Sequence, residues 1–112
     1  MISASLGRTG VRLAVAAALS LYLGVAHAEE SKVTIDNFTF SPAEVKVKVG
    51  DTVTWTNHDD IPHTVTDAAQ PRAYKSVALD SGDSFSHVFA MPGTYRYFCS
   101  LHPNMQGTVV VK

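Results

Sequence analysis

Cysteine is almost absent: Cys99 is the only one among 112 residues. One thiol cannot close an internal disulfide, so no covalent staple is open to the fold. Excess positive charge is missing too. Nine lysines and arginines stand against ten aspartates and glutamates, for a net charge of −1. They are scattered, and without a basic patch no nucleic-acid partner is expected. The longest apolar stretch, Leu13 to Ala26, falls short of the roughly 20 residues that a membrane helix needs. A stable membrane anchor is therefore not expected. No segment has a persuasive helical period, and there are no internal repeats or low-complexity tracts.

The first 28 residues have the make-up of a removable leader. Arg8 and Arg12 give a positive start, the apolar stretch follows, and Ala26-His27-Ala28 fits a small-x-small cleavage site. Cleavage there predicts a signal peptide over 1–28 and one domain over 29–112, exported to the periplasm. Losing the two arginines makes the mature domain two units more negative than the whole chain. An oxidising compartment sharpens the question of the lone thiol. It is buried and inert, paired with another molecule, or bound to a metal. Metal ligation best explains why an exported chain keeps one cysteine.

Past Ser31, apolar and polar residues alternate. Val33 and Ile35 share a face, as do Val45, Val47 and Val49, then Val53 and Trp55. A period of two with β-branched residues predicts half-buried strands of an antiparallel sheet. Gly50-Asp51, Ser81-Gly82-Asp83 and Met91-Pro92-Gly93 are turn signals. Ser84 to Phe89 and Thr94 to Cys99 read as strands. Val109-Val110-Val111 is continuous, which predicts burial on both faces. Asp67 to Val77 is the least informative part. Seven to eight short strands between turns indicate an all-β sandwich. Phe38, Phe40, Trp55, Phe85, Tyr95 and Tyr97 read as core or flanking packing, and Gly107 as a turn into the last strand.

The chemistry gathers around Cys99. His102 follows three residues later and Met105 three after that, in a loop narrowed by Pro103. Thiolate, imidazole and thioether together suit copper better than magnesium or calcium. A trigonal copper site takes one thiolate and two imidazoles, with methionine as a weak axial ligand. The missing imidazole must come from upstream. His63, after Pro62 and at a strand start, is the best candidate. His58, in the acidic polar loop Asn57-His58-Asp59-Asp60, is its rival. His87, in line with Phe85 and Phe89, reads as a core histidine or, if the strand bulges, as one that points outward. Zinc also accepts nitrogen and sulfur, but methionine is an unusual fourth ligand for it.

Pro62-His63 together with Gly93-Thr94-Tyr95-x-Tyr97-x-Cys99-x-x-His102-x-x-Met105-x-Gly107 resembles the cupredoxin family of blue type 1 copper proteins, amicyanin-like and plastocyanin-like in kind. The resemblance covers about Val33 to Val111. It implies a Greek-key β-sandwich of seven to eight strands. It implies one type 1 copper per chain held by His63, Cys99, His102 and Met105, and one-electron transfer rather than enzymatic turnover. It further implies a monomer that meets its redox partners transiently, a donor dehydrogenase and an acceptor cytochrome or oxidase. Related proteins often carry asparagine after the first histidine to brace the two ligand loops. Thr64 stands there, and its hydroxyl is the candidate for that task. Ile61, Pro62, Met91, Pro92, Leu101 and Pro103 are expected to rim the copper end as a docking face. The alternative function is a periplasmic copper carrier or chaperone that delivers metal rather than electrons.

Overall fold

The computed structural model describes residues 27–112. The leader expected over 1–28 lies, as far as residue 26, outside the described residues. Eight strands follow in order: β1 (Glu30–Asp36), β2 (Thr39–Ser41), β3 (Glu44–Val47), β4 (Thr52–Asn57), β5 (Thr66–Asp67), β6 (Ser84–Val88), β7 (Gly93–Phe98) and β8 (Gln106–Val111). They form two four-stranded sheets, ordered β2-β1-β4-β6 and β3-β8-β7-β5. Among the described residues no helix is long and apolar enough to cross a membrane.

Alternation fixes which face each strand buries. Val33 and Ile35 of β1, Val45 and Val47 of β3, Val53 and Trp55 of β4, and Val109 and Val111 of β8 all point into the space between the sheets. Phe40, Tyr97 and Phe89 complete that layer. Trp55 is at its centre, with Tyr74 stacked on it and the Tyr97 ring edge-on at 5.3 Å.

Three expectations change. The sheets are mixed, not antiparallel throughout: β1 runs parallel to β4, and β3 parallel to β8. Period-two alternation is the same for either direction, so it carries no information about pairing. Second, Val110 is only partly buried, between Val109 and Val111 that are fully so. Its partners across the ladder are exposed Lys46 and Thr94, on the outer face of the sheet. Third, Gly107 sits inside β8 opposite Tyr97, not in a turn. A Cβ there would fall on the Tyr97 ring, so the glycine is required by close approach.

The featureless segment after β5 also has a role. Its Tyr74 enters the core against Trp55 and Phe89, and Ser76 accepts a hydrogen bond from Val65 N–H at 2.8 Å. His87 packs against Tyr74 and Phe89 and is only partly buried, at the edge of the core. Burial holds its imidazole below the usual range.

The two ends of the sandwich differ. At one pole, Asp51 accepts hydrogen bonds from Glu29 N–H and Lys48 N–H, both at 2.9 Å. Lys112 exchanges backbone bonds with Val47 and Val49 at the same pole. The opposite pole receives the C-terminal ends of β4 and β7 and the loops that follow them.

Candidate metal centre

Strand β7 carries the chain to Cys99, one residue beyond its last paired position. Cys99 is fully buried. The next residues curl back at once: His102 N–H donates to Cys99 O at 3.2 Å, and Met105 N–H to His102 O at 2.9 Å. Cys99 N–H closes the turn by donating to Met105 O at 3.1 Å. These bonds turn the spacing seen in sequence into a closed loop that brings His102 Nδ1 to 3.7 Å from the thiol. Met105 is buried, and it lines one shallow hollow with Phe38, Leu101 and His102.

The second histidine comes from the loop after β4. Asn57, at the end of that strand, is fully buried and organises the loop. Its side-chain amide donates to Ile61 O and Leu79 O, both at 2.9 Å, and its carbonyl accepts from Asp59 N–H at 2.9 Å. His63 then pairs with Leu79 through backbone bonds of 3.1 and 2.7 Å. Its ring is fully buried. His58 is exposed on the same loop, and it is His63 whose ring lies beside Cys99.

Geometry brings three of the four expected ligands together. Nδ1 of His63 lies 3.8 Å from Cys99 Sγ, and Nδ1 of His102 lies 3.7 Å from it. The ligand atoms of all three residues fall within 4.8 Å of one another. These spacings test the fit of a metal. Bonds of about 2.0–2.1 Å to nitrogen and about 2.3 Å to sulfur, at trigonal angles, put nitrogen and sulfur about 3.7–3.8 Å apart. A soft thiolate with two imidazoles in that triangle is the donor set that copper takes.

Thr64 does the bracing expected of it. Its hydroxyl accepts from Ser100 N–H at 2.8 Å and is paired with the hydroxyls of Ser100 at 2.9 Å and Thr66 at 3.1 Å. Its N–H donates to Cys99 Sγ at 3.3 Å. One residue therefore joins the His63 loop to the Cys99 loop and addresses the thiol as well.

Sequence reasoning missed Asp59 and the exposed position of Phe38. The Asp59 carboxylate meets His63 Nε2 at 2.7 Å. It also accepts from Phe38 N–H at 3.0 Å and Asn37 N–H at 2.6 Å. These backbone donors, Phe38 first, hold Asp59 down at about 2, against an ordinary 3.8. Phe38, taken as packing, lies half exposed with its ring edge-on to both His63 and His102. A carboxylate four residues before a histidine was the one available signal, and it reads equally well as a solvated loop. The expected rim is also smaller than foreseen. Met91 and Pro92 precede β7, whose far end leads to Cys99, so they lie roughly 20 Å away along six strand residues.

The profile of copper-binding proteins of the plastocyanin/azurin family matches residues 27–112. Amicyanin-alpha of Methylorubrum extorquens is 37% identical over 98% of this chain and 95% of its own length. A chloroplastic plastocyanin of Tetradesmus obliquus is 37% identical over 98% of this chain and 85% of its own. Among solved structures, a purple cupredoxin from Nitrosopumilus maritimus superposes with a TM-score of 0.69 at 35% identity, covering 73% of this chain and 99% of that one. A reduced amicyanin variant does so with 0.69 at 37% identity, covering 80% and 88%. Eight strands in two sheets, a histidine–cysteine–histidine triangle at one pole and these likenesses agree: the chain belongs to the plastocyanin/azurin family of copper-binding proteins, the cupredoxins.

Proposed function

We propose that this chain is a periplasmic blue copper protein that carries single electrons between redox partners, with His63, Cys99, His102 and Met105 as its ligands. One observation carries the reading: two imidazole nitrogens 3.7 and 3.8 Å from a buried cysteine sulfur. Bound copper supplies a one-electron couple whose two states prefer different geometries. The residues around it resist that difference. His63 is locked to Leu79, Cys99 ends a paired strand, Thr64 ties both loops, and the Cys99–Met105 turn closes on its own backbone. A ligand set that hardly moves lowers the barrier to electron exchange. Four protein ligands leave no open position for a substrate, so the reading is a carrier and not an enzyme.

The partner-facing surface is the metal pole. Phe38 and Leu101 are about half exposed there, Pro62 and Pro103 are exposed, and His102 is partly so. An apolar rim with a ligand edge at its centre suits brief docking with a dehydrogenase donor and a cytochrome or oxidase acceptor. The leader over 1–28 supports export, and the isolated domain acts as a monomer.

Copper delivery is the second reading. It is disfavoured by burial: His63 and Cys99 have no exposed surface, whereas a metal-delivering site exchanges its ion through open ligands. Loading the mature domain with copper(II) should give an intense blue thiolate-to-copper colour and a reversible one-electron voltammogram. A colourless protein that hands copper rapidly to a chelator would reject electron carriage in favour of delivery.

A further inference from the structure

Asp51 stands at the pole away from the metal, in the turn between β3 and β4, and is only 5% exposed. Its two carboxylate oxygens do different things. Oδ2 accepts from Lys48 N–H at 2.9 Å, and Asp51 N–H donates back to Lys48 O at 3.0 Å. One oxygen is therefore enough to cap the turn. Oδ1 is aimed elsewhere. It accepts at 2.9 Å from the N–H of Glu29, a residue 22 positions upstream. The Glu29 unit is fixed from its other side as well, because its carbonyl accepts from Thr52 N–H at 2.9 Å where β1 begins to pair with β4.

A buried carboxylate calls for a positive partner. Among the described residues no lysine or arginine is ion-paired with Asp51. Lys48 acts on it only as a neighbouring charge, and Lys112 meets this pole through its backbone. Of the acids on this side, Glu29 is exposed, and the Glu30 carboxylate accepts from the Thr54 hydroxyl at 2.6 Å. The nitrogen that Oδ1 touches is also the one at the expected leader junction, since Ala26-His27-Ala28 ends immediately before it. Hydrolysis of the Ala28–Glu29 bond by a peptidase adds one water. Ala28 leaves with a carboxylate, and Glu29 keeps an α-amine that is mostly protonated at neutral pH.

We propose that Asp51 is the binding site for the α-ammonium that leader removal creates. Cleavage turns a neutral amide donor into a charged one at a nitrogen already in place. Maturation itself then locks the first strand onto the sandwich. This rests on the leader reading above and not on copper. A charged hydrogen bond exceeds a neutral one, by an amount that in a domain of this size moves Tm by about 4–8 °C. Contact with a carboxylate raises the amine above its ordinary value of about 7.7–8.0. The gain is complete below that value and is lost as pH rises through the raised one. It is lost in acid too, as pH falls through the range of Asp51, which the Glu29 and Lys48 backbone donors lower.

The full chain, expressed with its leader and recovered from the periplasm, supplies the test. Its intact mass should correspond to residues 29–112. Retention of residues 1–28 would overturn both the leader reading and this one, and a first residue other than Glu29 would overturn this one alone. The comparison protein carries Gly-Ser inserted after Ala28, so the same cleavage leaves a two-residue overhang. Melted free of metal at pH 7, it should lie about 4–8 °C below native, and the gap should close by about pH 11, where the amine is neutral. Asp51→Asn should erase the gap between the two termini. If Asp51→Asn does not fold, the pH dependence of the gap decides alone. An overhang protein that melts within about 1 °C of native at pH 7, or a gap that persists unchanged in alkali, overturns the proposal. Because the melts are metal-free, a protein that fails to bind copper would sink the electron-carrier reading and leave this result standing.

Discussion

Replacing Thr64 with valine removes one hydroxyl and keeps the branched shape, so it isolates the brace between the two ligand loops. In the native fold that hydroxyl serves Ser100 N–H, the Ser100 hydroxyl and the Thr66 hydroxyl. Ser100 is exposed, so its own hydroxyl turns to water at little cost. Thr66 is only 1% exposed and has no such escape. The Ser100 N–H is partly buried and fixed by the backbone. Leaving these two groups without partners costs about 3 kcal/mol together. Burying an extra methyl offsets about 0.8 kcal/mol. About 2 kcal/mol of destabilisation remains, which for a domain of this size lowers Tm by about 8–16 °C. Thermal melts of the metal-free mature domain, followed by far-ultraviolet circular dichroism, measure it directly. Thr64→Ser restores the hydroxyl and should recover most of the loss. If Thr64→Val melts within about 2 °C of the native domain, the hydroxyl is not a brace and the loops are held by something else. The copper-loaded variant should keep a thiolate band, because the Thr64 N–H to sulfur bond comes from the backbone.

Gly107→Ala should cost about 1–3 kcal/mol by overpacking, since Tyr97 is pinned between Phe40 and Trp55 and cannot yield; chemical denaturation of the metal-free domain measures the loss. Leu101→Asp should slow electron exchange with the natural partner and leave the copper spectrum unchanged; an unaltered rate would remove Leu101 from the docking face. Asp59 is held at about 2 in the fold against 3.8 for the free side chain. Its contribution to stability is therefore complete above pH 4 and lost as pH falls through about 2. The Tm difference between native protein and Asp59→Asn should shrink across that window, and a constant difference would contradict the assigned hydrogen bonds.

Strand parity and ligand spacing were legible in sequence because both are local. Val33, Ile35, Val53 and Trp55 could be placed inward from alternation alone. Cys99 and His102, which the fold brings together, stood out by type and spacing on one short loop. His63 was harder, since choosing it over His58 needed a judgement about which side of a loop faces the core. The missed features all depend on residues far apart in the chain. Parallel pairing of β1 with β4 follows from crossings between sheets, which alternation does not encode. Tyr74 reaches the core from a segment with no period to read. Gly107 looks like any turn glycine until Tyr97 is seen above it. Asp59 joins three backbone and side-chain donors from two loops, and only the folded chain reveals that they share one carboxylate.

Glu29 and Lys112 both leave the sandwich beside Asp51 and Val47, on the side away from Cys99. A tether attached at either of these positions would hang the molecule by its base, with the sulfur-bearing loops turned outward. Immobilised on a conducting surface through one of them, the protein would present its back and exchange electrons slowly. Fixed through a residue near Leu101 instead, it would exchange them fast.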